Sequence, residues 1–470
     1  MNDIKYMAIS NKSWYTNYFK FVKDNIYRFN FKLLSQNPNI TFDNISETIS
    51  DSRFKWYWRY LSLNPNITFN NILEKIDDTR FKWDWCNLSK NPNITFDNIR
   101  DTIDDPRFKW NWYYLSKNQN ITCYNITFDN IRNTIGDQRY KWDWWFLSRN
   151  INITFDNIRD TIDDHRFKWA WVQLSQNLNI TFDNIIKTID NPKFNWNWWY
   201  LCKNKNITFD NIKDTIGDSR FTWDWGMLSK HPNIIFDNIM STIDDSRFKW
   251  DLCYLSKNPN ITFDNIMKII YDTHNKSISS LIDVPKPYIS TRFKWDWAQL
   301  SQHSNIKFDN ILETIDDQRF KWDWAYISQN PNITFDNISS TIDDPRFKWN
   351  WFILSTNINI IFYNIRETID DPRFKWDVGM LSKNPNITFD NIRDTIDDPK
   401  NQIFFSVMDR QSSCFYTRFK WDWDLLSNND MSKGKEKYIT YIVDLIFILK
   451  STKIFPHVIE NIIINYLYRN

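Results

Sequence analysis

Apolar residues recur along the chain in a pattern that repeats every 27 positions. In the copy NPNITFDNIRDTIDDPRFKWNWYYLSK, residues 91–117, Phe96, Ile99 and Ile103 are spaced three and four positions apart, as on one face of a short helix. Thr95 precedes them and is a good N-cap, because its hydroxyl can accept a hydrogen bond from an unpaired amide. The pattern therefore predicts a first helix that begins near the phenylalanine of each copy.

A second apolar set in the same copy also has helical spacing. Phe108, Trp112 and Leu115 lie four and three positions apart, which again describes one face of a helix. Asp105 would cap this helix, and the proline after it suits the first helical position, where no amide hydrogen is needed. The spacing predicts a second helix over residues 106–117.

The segment FKWDW supports a competing interpretation. It alternates apolar and polar residues strictly, and Phe and Trp favour strands. A period of 27 residues also lies in the range of leucine-rich repeats. The leucine ladder of those repeats is missing, and the proline before RFKW suits a helix start. We therefore predict an all-α solenoid of 13 two-helix repeats of 27 residues, with an α/β leucine-rich-repeat-like solenoid as the alternative.

The repeats predict three parts of the chain. YRFNFKLLS, residues 27–35, is a worn version of RFKWDWxxLS, as expected of a capping repeat. The phenylalanine of the predicted first helix recurs at Phe42, Phe69, Phe96, Phe128, Phe155, Phe182, Phe209, Phe236, Phe263, Phe308, Phe335, Phe362 and Phe389. The predicted parts are a degenerate capping repeat at 1–36, the tandem repeats at 37–427 with insertions near 121–125, 272–291 and 400–417, and a C-terminal helical cap or F-box-like segment at 428–470.

Each copy carries two tryptophans two positions apart. The first is present in all 13 copies, and the second is replaced by Leu252 and Val378 in two of them. On a helix, residues two apart point about 200° away from each other, so the pair could contact the repeats on both sides. Replacement by aliphatic residues indicates packing rather than ligand stacking. The predicted core of a repeat consists of Phe96, Ile99, Ile103, Phe108, Trp110, Trp112 and Leu115.

The charges give no overall preference for an anionic partner. Lys and Arg number 59 against 57 Asp and Glu, for a net charge of +2, so the chain has no strong field toward nucleic acid or acidic membranes. A recurring RxK stripe, Arg107 and Lys109 in the copy above, could contact phosphates. The preceding Asp104 and Asp105 neutralise it. Nucleic-acid binding along this stripe is kept as an alternative function, and we expect it to be absent.

The sequence shows no pattern typical of catalysis or metal binding. It has no P-loop, GxGxxG or GxSxG motif, and we interpret its five histidines as occupying unrelated repeat positions. The five cysteines form no CxxC pair and indicate free thiols in a reducing compartment. The apolar stretch 438–450 contains Asp444 and is too short to span a bilayer, and no signal peptide is apparent. We expect no enzyme, no metal or other cofactor, no membrane segment and an intracellular protein.

The motif WDWxxLSxNPNIT resembles the tandem-repeat proteins encoded by giant DNA viruses of amoebae, the mimivirus group and its relatives. The resemblance covers residues 37–427. It implies a viral product in the host cytoplasm and implies no activity. We expect a non-catalytic scaffold that mediates protein–protein interaction in an infected cell.

The stretch FPHVIENIIINYL, residues 455–467, is similar to the opening of F-box domains and to the F-box-like C-termini of poxviral ankyrin-repeat proteins. There, a Leu-Pro start and the apolar residues after it dock a ubiquitin-ligase adaptor. The resemblance implies an alternative function, a substrate receptor that recruits host ubiquitin ligase, against a simple helical cap. The candidate adaptor-binding residues are Phe455, which replaces the usual leucine, Pro456, Ile459, Ile462, Ile463 and Leu467.

Overall fold

The computed structural model describes residues 2–118, 120–121, 126–275, 295–396 and 419–451. These residues are all-helical and contain no strand, and short helices recur with the period of the sequence. The α/β alternative is therefore not supported. The chain divides into two compact units. The end unit joins Met1–Asn91 to Thr334–Asn470, and the middle unit is Pro92–Ile333.

The first helix of each copy, here called a Phe helix, begins at the predicted phenylalanine. Thr95 caps its helix as expected, because its hydroxyl accepts from the amide of Asn98 (3.3 Å), whose side chain accepts from the amide of Thr95 (2.9 Å). The Phe helices are Phe42–Thr48, Phe69–Glu74, Phe96–Thr102, Phe128–Thr134, Phe155–Thr161, Phe182–Thr188, Phe209–Thr215, Phe236–Thr242, Phe263–Asn275, Phe308–Thr314, Phe335–Ser340, Phe362–Thr368 and Phe389–Ile396.

The second helix, here called a Trp helix, begins later than the sequence predicted. In the copy at 91–117 it starts at Trp112 and is capped by the side chain of Asn111, so the predicted helix over 106–117 is wrong in its first half. The Trp helices, including the one in the worn copy, are Phe31–Leu34, Trp58–Leu61, Trp85–Leu88, Trp112–Lys117, Trp144–Leu147, Trp171–Leu174, Trp198–Leu201, Trp225–Ser229, Leu252–Leu255, Trp297–Ser301, Trp324–Gln329, Trp351–Leu354, Val378–Leu381 and Trp423–Asn428.

The aspartate before RFKW makes a turn instead of a helix cap. The side chain of Asp105 accepts from the backbone amide of Arg107 (3.0 Å), which is the geometry of an Asx turn. The chain then runs without helix to the Trp helix. Phe108 and Trp110 are stacked with ring centroids 5.9 Å apart, while Lys109 between them is exposed. Alternation of this kind belongs to extended backbone, but FKWNW forms neither helix nor strand before Trp112.

The predicted core residues lie in the interior to different degrees. Trp110 donates its indole N–H to the hydroxyl of Thr102 in its own copy (2.9 Å). Trp112 packs against Trp142 of the next copy, with ring centroids 5.2 Å apart. The second tryptophan therefore contacts a neighbouring repeat. Phe96, Ile99, Phe108 and Leu115 are buried, whereas Ile103, Trp110 and Trp112 are half-buried.

Buried asparagines join successive copies in an asparagine ladder. The side-chain amide of Asn204 donates to the backbone carbonyls of Ser175 (3.1 Å) and Asn177 (3.1 Å), one repeat earlier. Its side-chain oxygen accepts from the amide of Asn206 (3.0 Å). A buried polar group is tolerated when it is hydrogen-bonded, and here each bond also fixes the distance between repeats. Equivalent donors are Asn64, Asn91, Asn177, Asn258, Asn330, Asn384 and Asn429.

The recurring serine adds a second link between copies, and the recurring threonine adds a bond within each copy. The hydroxyl of Ser175 donates to the carbonyl of Trp171 (2.7 Å) and accepts from the amide of Asn197 in the next copy (2.9 Å). The hydroxyl of Thr188 accepts from the indole of Trp196 (3.0 Å). The recurring Asn and Ser therefore link successive repeats, while the recurring Thr and first Trp are bonded to each other within one copy.

The ladder in the end unit joins distant parts of the chain. The side-chain amide of Asn37 donates to the carbonyls of Ser427 (3.1 Å) and Asn429 (2.9 Å). Asn64 in turn donates to the carbonyl of Asn37 (3.0 Å). The worn copy at 27–35 contacts a full repeat on either side, because the amide of Asn30 donates to the hydroxyl of Ser427 (2.9 Å) and the hydroxyl of Ser35 accepts from the amide of Tyr57 (3.1 Å). The predicted limits of the cap, the repeats and the C-terminal segment stay predictions.

Two long helices pack together in the end unit. They are the N-terminal helix Asn2–Asp24 and the C-terminal helix Ser432–Ser451. Trp14 lies with its ring centroid 5.4 Å from that of Tyr438 and 4.8 Å from that of Phe389, so it joins both helices to a Phe helix. None of the helices in the described ranges is long and apolar enough to cross a membrane.

A sharp turn separates the last ladder asparagine from the C-terminal helix. Met431 is buried and has a φ of 51°, in the left-handed region that non-glycine residues seldom adopt. A Cβ at Gly434 would collide with Cγ2 of Thr388. Glycine is therefore needed at position 434 for the C-terminal helix to approach the Phe helix this closely.

Candidate functional site

The Trp helices present a variable outer surface. In these short helices, the tryptophan that begins the helix is half-buried and the leucine three positions later is fully buried, as Trp198 and Leu201 show. The two positions between them differ from copy to copy, and most of their side chains are exposed or half-buried, although Asn87 and Gln173 are buried. In the middle unit five of these positions carry rings that are between 36% and 51% exposed. This exposed aromatic row consists of Tyr113, Trp145, Trp199, Tyr254 and Tyr326.

Lysine side chains accompany several rings of the row. The ammonium of Lys117 lies 4.0 Å from the ring centroid of Tyr113. That of Lys203 lies 3.3 Å from the ring centroid of Trp199. Such cation–π contacts at exposed sites contribute about 0.5–1 kcal/mol each. The row is therefore both aromatic and basic.

The RxK stripe lies elsewhere on the repeats and is neutralised. The guanidinium of Arg107 contacts the carboxylate of Asp105 (2.7 Å), and this hydrogen bonding holds the pKa of Asp105 below its usual range. Arginines also reach the previous copy, as Arg139 does with Asp104 (2.6 Å). The carboxylates occupy the groups that would contact phosphates, as the sequence suggested. Lys109 remains exposed.

Two histidines occupy the ladder position, which the sequence interpretation missed. The ring of His231 contacts the carbonyl of Asn204 through Nε2 (3.1 Å) and accepts from the amide of Asn233 through Nδ1 (3.1 Å). His303 makes the corresponding bonds to Asn258 and Asn305. Our interpretation that the histidines lie at unrelated positions is therefore wrong for this pair. The alignment of KHPNI and QHSNI with KNPNI could have revealed it.

One cysteine also replaces a residue that links successive copies. Cys202 stands at the position that Ser175 occupies in the preceding copy, and its sulfur accepts from the amide of Asp224 (3.2 Å). Burial raises the pKa of the Cys202 thiol to about 12, so it is unsuited to act as a thiolate. Cys86 and Cys253 are exposed free thiols. In the ranges that the structure describes, no three His, Cys, Asp or Glu side chains come together as metal ligands.

The predicted adaptor-binding segment cannot be placed. Phe455, Pro456, Ile459, Ile462, Ile463 and Leu467 lie outside the described residues. Most of the three predicted insertions lies outside them as well. The surface that the structure does describe is the exposed aromatic row, for which the sequence signal was the variable pair after the second tryptophan.

Comparisons of the chain with protein families, with curated proteins and with solved structures give no match.

Proposed function

We propose that the chain is a non-catalytic repeat scaffold that binds a protein partner through the exposed aromatic row. One observation carries the proposal: recurring Asn and Ser side chains hold the repeats together, while variable, half-exposed rings recur on their outer surface. Tyr and Trp are the residues most often found at the energetic centres of protein interfaces. The proposal treats the chain as a solenoid of 13 two-helix repeats.

The other functions considered from the sequence have less support. The stripe that would bind nucleic acid has its arginines engaged by carboxylates, as in the pair Arg139–Asp104. Recruitment of ubiquitin ligase depends on residues 455–467, which lie outside the described part. The resemblance to giant-virus repeat proteins leads us to propose the host cytoplasm as the place of action.

Affinity capture from amoebal lysate with the full-length chain tests the proposal. The row variant combines Tyr113→Ala, Trp199→Ala and Tyr254→Ala. The control variant combines Ile186→Ala and Leu312→Ala, two Phe-helix residues of the same unit that are 47% and 46% exposed. We expect proteins captured by the native chain and by the control to be lost from the row variant. Equal capture by all three proteins would overturn the proposal.

A folding check accompanies the capture experiment. All five substituted side chains are exposed, and surface substitutions usually change stability by no more than about 0.5 kcal/mol. The row variant and the control variant should therefore have circular dichroism spectra and melting temperatures close to those of the native chain. Loss of capture by a folded row variant then reports on the surface itself.

A further inference from the structure

Three successive Trp helices of the middle unit gather rings and ammonium groups into one patch. Trp198–Leu201, Trp225–Ser229 and Leu252–Leu255 carry it, on their outer positions and just after their last turns. The aromatic–lysine patch consists of Trp199, Tyr200, Lys203, Lys230, Tyr254 and Lys257.

The rings of the patch are covered by cations. The ammonium of Lys203 lies 3.3 Å from the ring centroid of Trp199 and 5.2 Å from that of Tyr200. The two rings meet edge to face, with centroids 4.5 Å apart and an interplanar angle of 86°. Base stacking needs a free ring face, and the ammonium occupies one face of Trp199. This arrangement favours a ligand that contacts the ammonium itself.

Tyr254 has the same relationship to two lysines from successive copies. Its ring centroid lies 4.9 Å from the ammonium of Lys230 and 5.6 Å from that of Lys257. It also packs over Gly226, where an added Cβ would lie 3.6 Å from the tyrosine ring. The tyrosine ring therefore lies against the Trp helix of the preceding copy and close to two ammonium groups.

The three ammonium groups of the patch have no carboxylate in direct contact with them in the described part of the chain. Within the described residues, the ammonium groups of Lys203, Lys230 and Lys257 form no ion pair with a carboxylate. The nearby Asp224 and Asp251 serve as helix caps, accepting from backbone amides at 2.8 and 3.1 Å. Partial burial and then the charge of Lys230 lower the pKa of Lys203, and the charge of Asp224 offsets part of this effect. An anionic group placed between these lysines would relieve their mutual repulsion.

We propose that the aromatic–lysine patch binds an acidic segment of a partner protein. Carboxylates of the segment contact the three ammonium groups, and its apolar side chains pack on the exposed parts of Trp199 and Tyr254. The inference rests on the proposed function, because it names the chemistry of the partner at the same surface. Charge complementarity of this kind sets specificity and association rate, and it weakens with added salt.

Fluorescence anisotropy with the full-length chain tests this assignment. The probes are three short labelled molecules: a peptide of alternating glutamate and tyrosine, the same peptide with glutamine for glutamate, and single-stranded oligothymidylate. The patch variant carries Lys203→Gln, Lys230→Gln and Lys257→Gln. The control variant carries Lys168→Gln, Lys249→Gln and Lys321→Gln, exposed lysines of the same unit at the centre of FKW. Both variants lose the same net charge.

We expect the native chain and the control variant to bind the glutamate–tyrosine peptide with affinities within about twofold of each other. The patch variant should bind it about tenfold more weakly or worse, and the glutamine peptide should bind none of the three proteins well. An equal loss in both variants would show a non-specific charge effect and overturn the assignment. Tighter binding of oligothymidylate than of the acidic peptide, lost in the patch variant, would assign the patch to nucleic acid instead.

The two proposals fail in different ways. If the row variant loses its captured proteins but the native chain does not bind the acidic peptide, the interaction surface stands and its acidic specificity is wrong. If capture is the same for all variants, the proposed function fails whatever the peptide shows.

Discussion

The side-chain amide of Asn37 lies 3.1 Å from the backbone carbonyl of Ser427, 390 positions further along the chain. The same amide donates to the carbonyl of Asn429, which repeats the bonding that joins adjacent copies elsewhere, as at Asn204. Asn37, which opens the first full repeat, is therefore bonded to the last repeat as adjacent copies are bonded to each other. The worn copy itself contacts the last repeat through Asn30, whose backbone amide donates to the hydroxyl of Ser427 (2.9 Å).

The first prediction concerns this contact. Asn37→Ala leaves the buried carbonyls of Ser427 and Asn429 without their donor, so we expect the end unit to lose about 2 kcal/mol of stability. Urea titration followed by tryptophan fluorescence measures the loss. Asn11→Ala is the control, since Asn11 is half-buried and its side chain bonds to the carbonyl of Met7 in its own helix, and it should cost less than about 0.5 kcal/mol. Equal costs for the two variants would contradict a special role for Asn37.

The second prediction concerns Cys202, which stands where other copies have the serine that links successive repeats. Cys202→Ser should stabilise the chain by about 1 kcal/mol, because a hydroxyl is a stronger acceptor for the amide of Asp224 than a thiol. Cys253→Ser provides the matched comparison, since Cys253 is exposed and its replacement should leave the urea midpoint unchanged. A decrease in stability for Cys202→Ser would mean that the volume of the sulfur matters more than the hydrogen bond.

The third prediction concerns the indole nitrogen of Trp83, which is buried and has no hydrogen-bond partner among the residues that the structure describes. In other copies a threonine supplies the acceptor, as Thr188 does for Trp196, but this copy has Lys75 at that position. Lys75→Thr should therefore raise the free energy of unfolding by about 1 kcal/mol.

The reverse substitution is the control for that experiment. Thr188→Val removes the acceptor from Trp196 and should lower the free energy of unfolding by about 1 kcal/mol. Both changes are measured by urea titration. If Lys75→Thr and Thr188→Val move the midpoint in the same direction, the indole hydrogen bond is not the cause.

The fourth prediction is a dependence of stability on pH that arises from the ladder histidines. Burial lowers the pKa of His231 and of His303 below the ordinary value of 6.5. Nδ1 of each ring must also be unprotonated to accept its backbone amide. The folded state thus favours the neutral ring. The stabilisation is present above pH 6.5 and is lost as the pH falls, because the unfolded chain is protonated first.

Replacement by the consensus residue isolates this effect. The double variant His231→Asn, His303→Asn should lose less stability than the native chain between pH 7 and about pH 5. Urea midpoints across this range give the comparison, in which titrating carboxylates contribute equally to both proteins. Parallel curves for the two proteins would show that the histidines are not responsible.

The sequence predicted the Phe helices well because their signals agree. Spacing of apolar residues and the threonine cap both placed the start at Phe96, and the structure begins the helix there. The start of the Trp helix was mispredicted because an aspartate followed by proline is compatible with both a helix start and a turn. Asp105 followed by proline suits a helix start, but it also makes a turn when its side chain bonds the amide of Arg107. The strict alternation in FKWNW then decided for extended backbone.

The candidate site could be found only in part from the sequence. The paired tryptophans were interpreted as packing residues, and Trp112 contacts Trp142 of the next copy. The outward position of rings such as Trp199 was not predicted, because their exposure depends on where the Trp helix begins. The cation contact of Lys203 depends on the same start. An error of a few residues in one helix therefore concealed the surface.

The bond between Asn37 and Ser427 also delays the folding of the end unit during protein synthesis, because its two partners are made far apart in time. The worn copy leaves the ribosome long before its partner exists, since 390 positions at the usual rate of translation take roughly 20 to 80 s. During that time the ladder edge of Asn37 and the ring of Trp14 lack the residues that cover them. The middle unit consists of consecutive residues and has no such delay. We therefore expect the middle unit to complete its folding during synthesis before the end unit does.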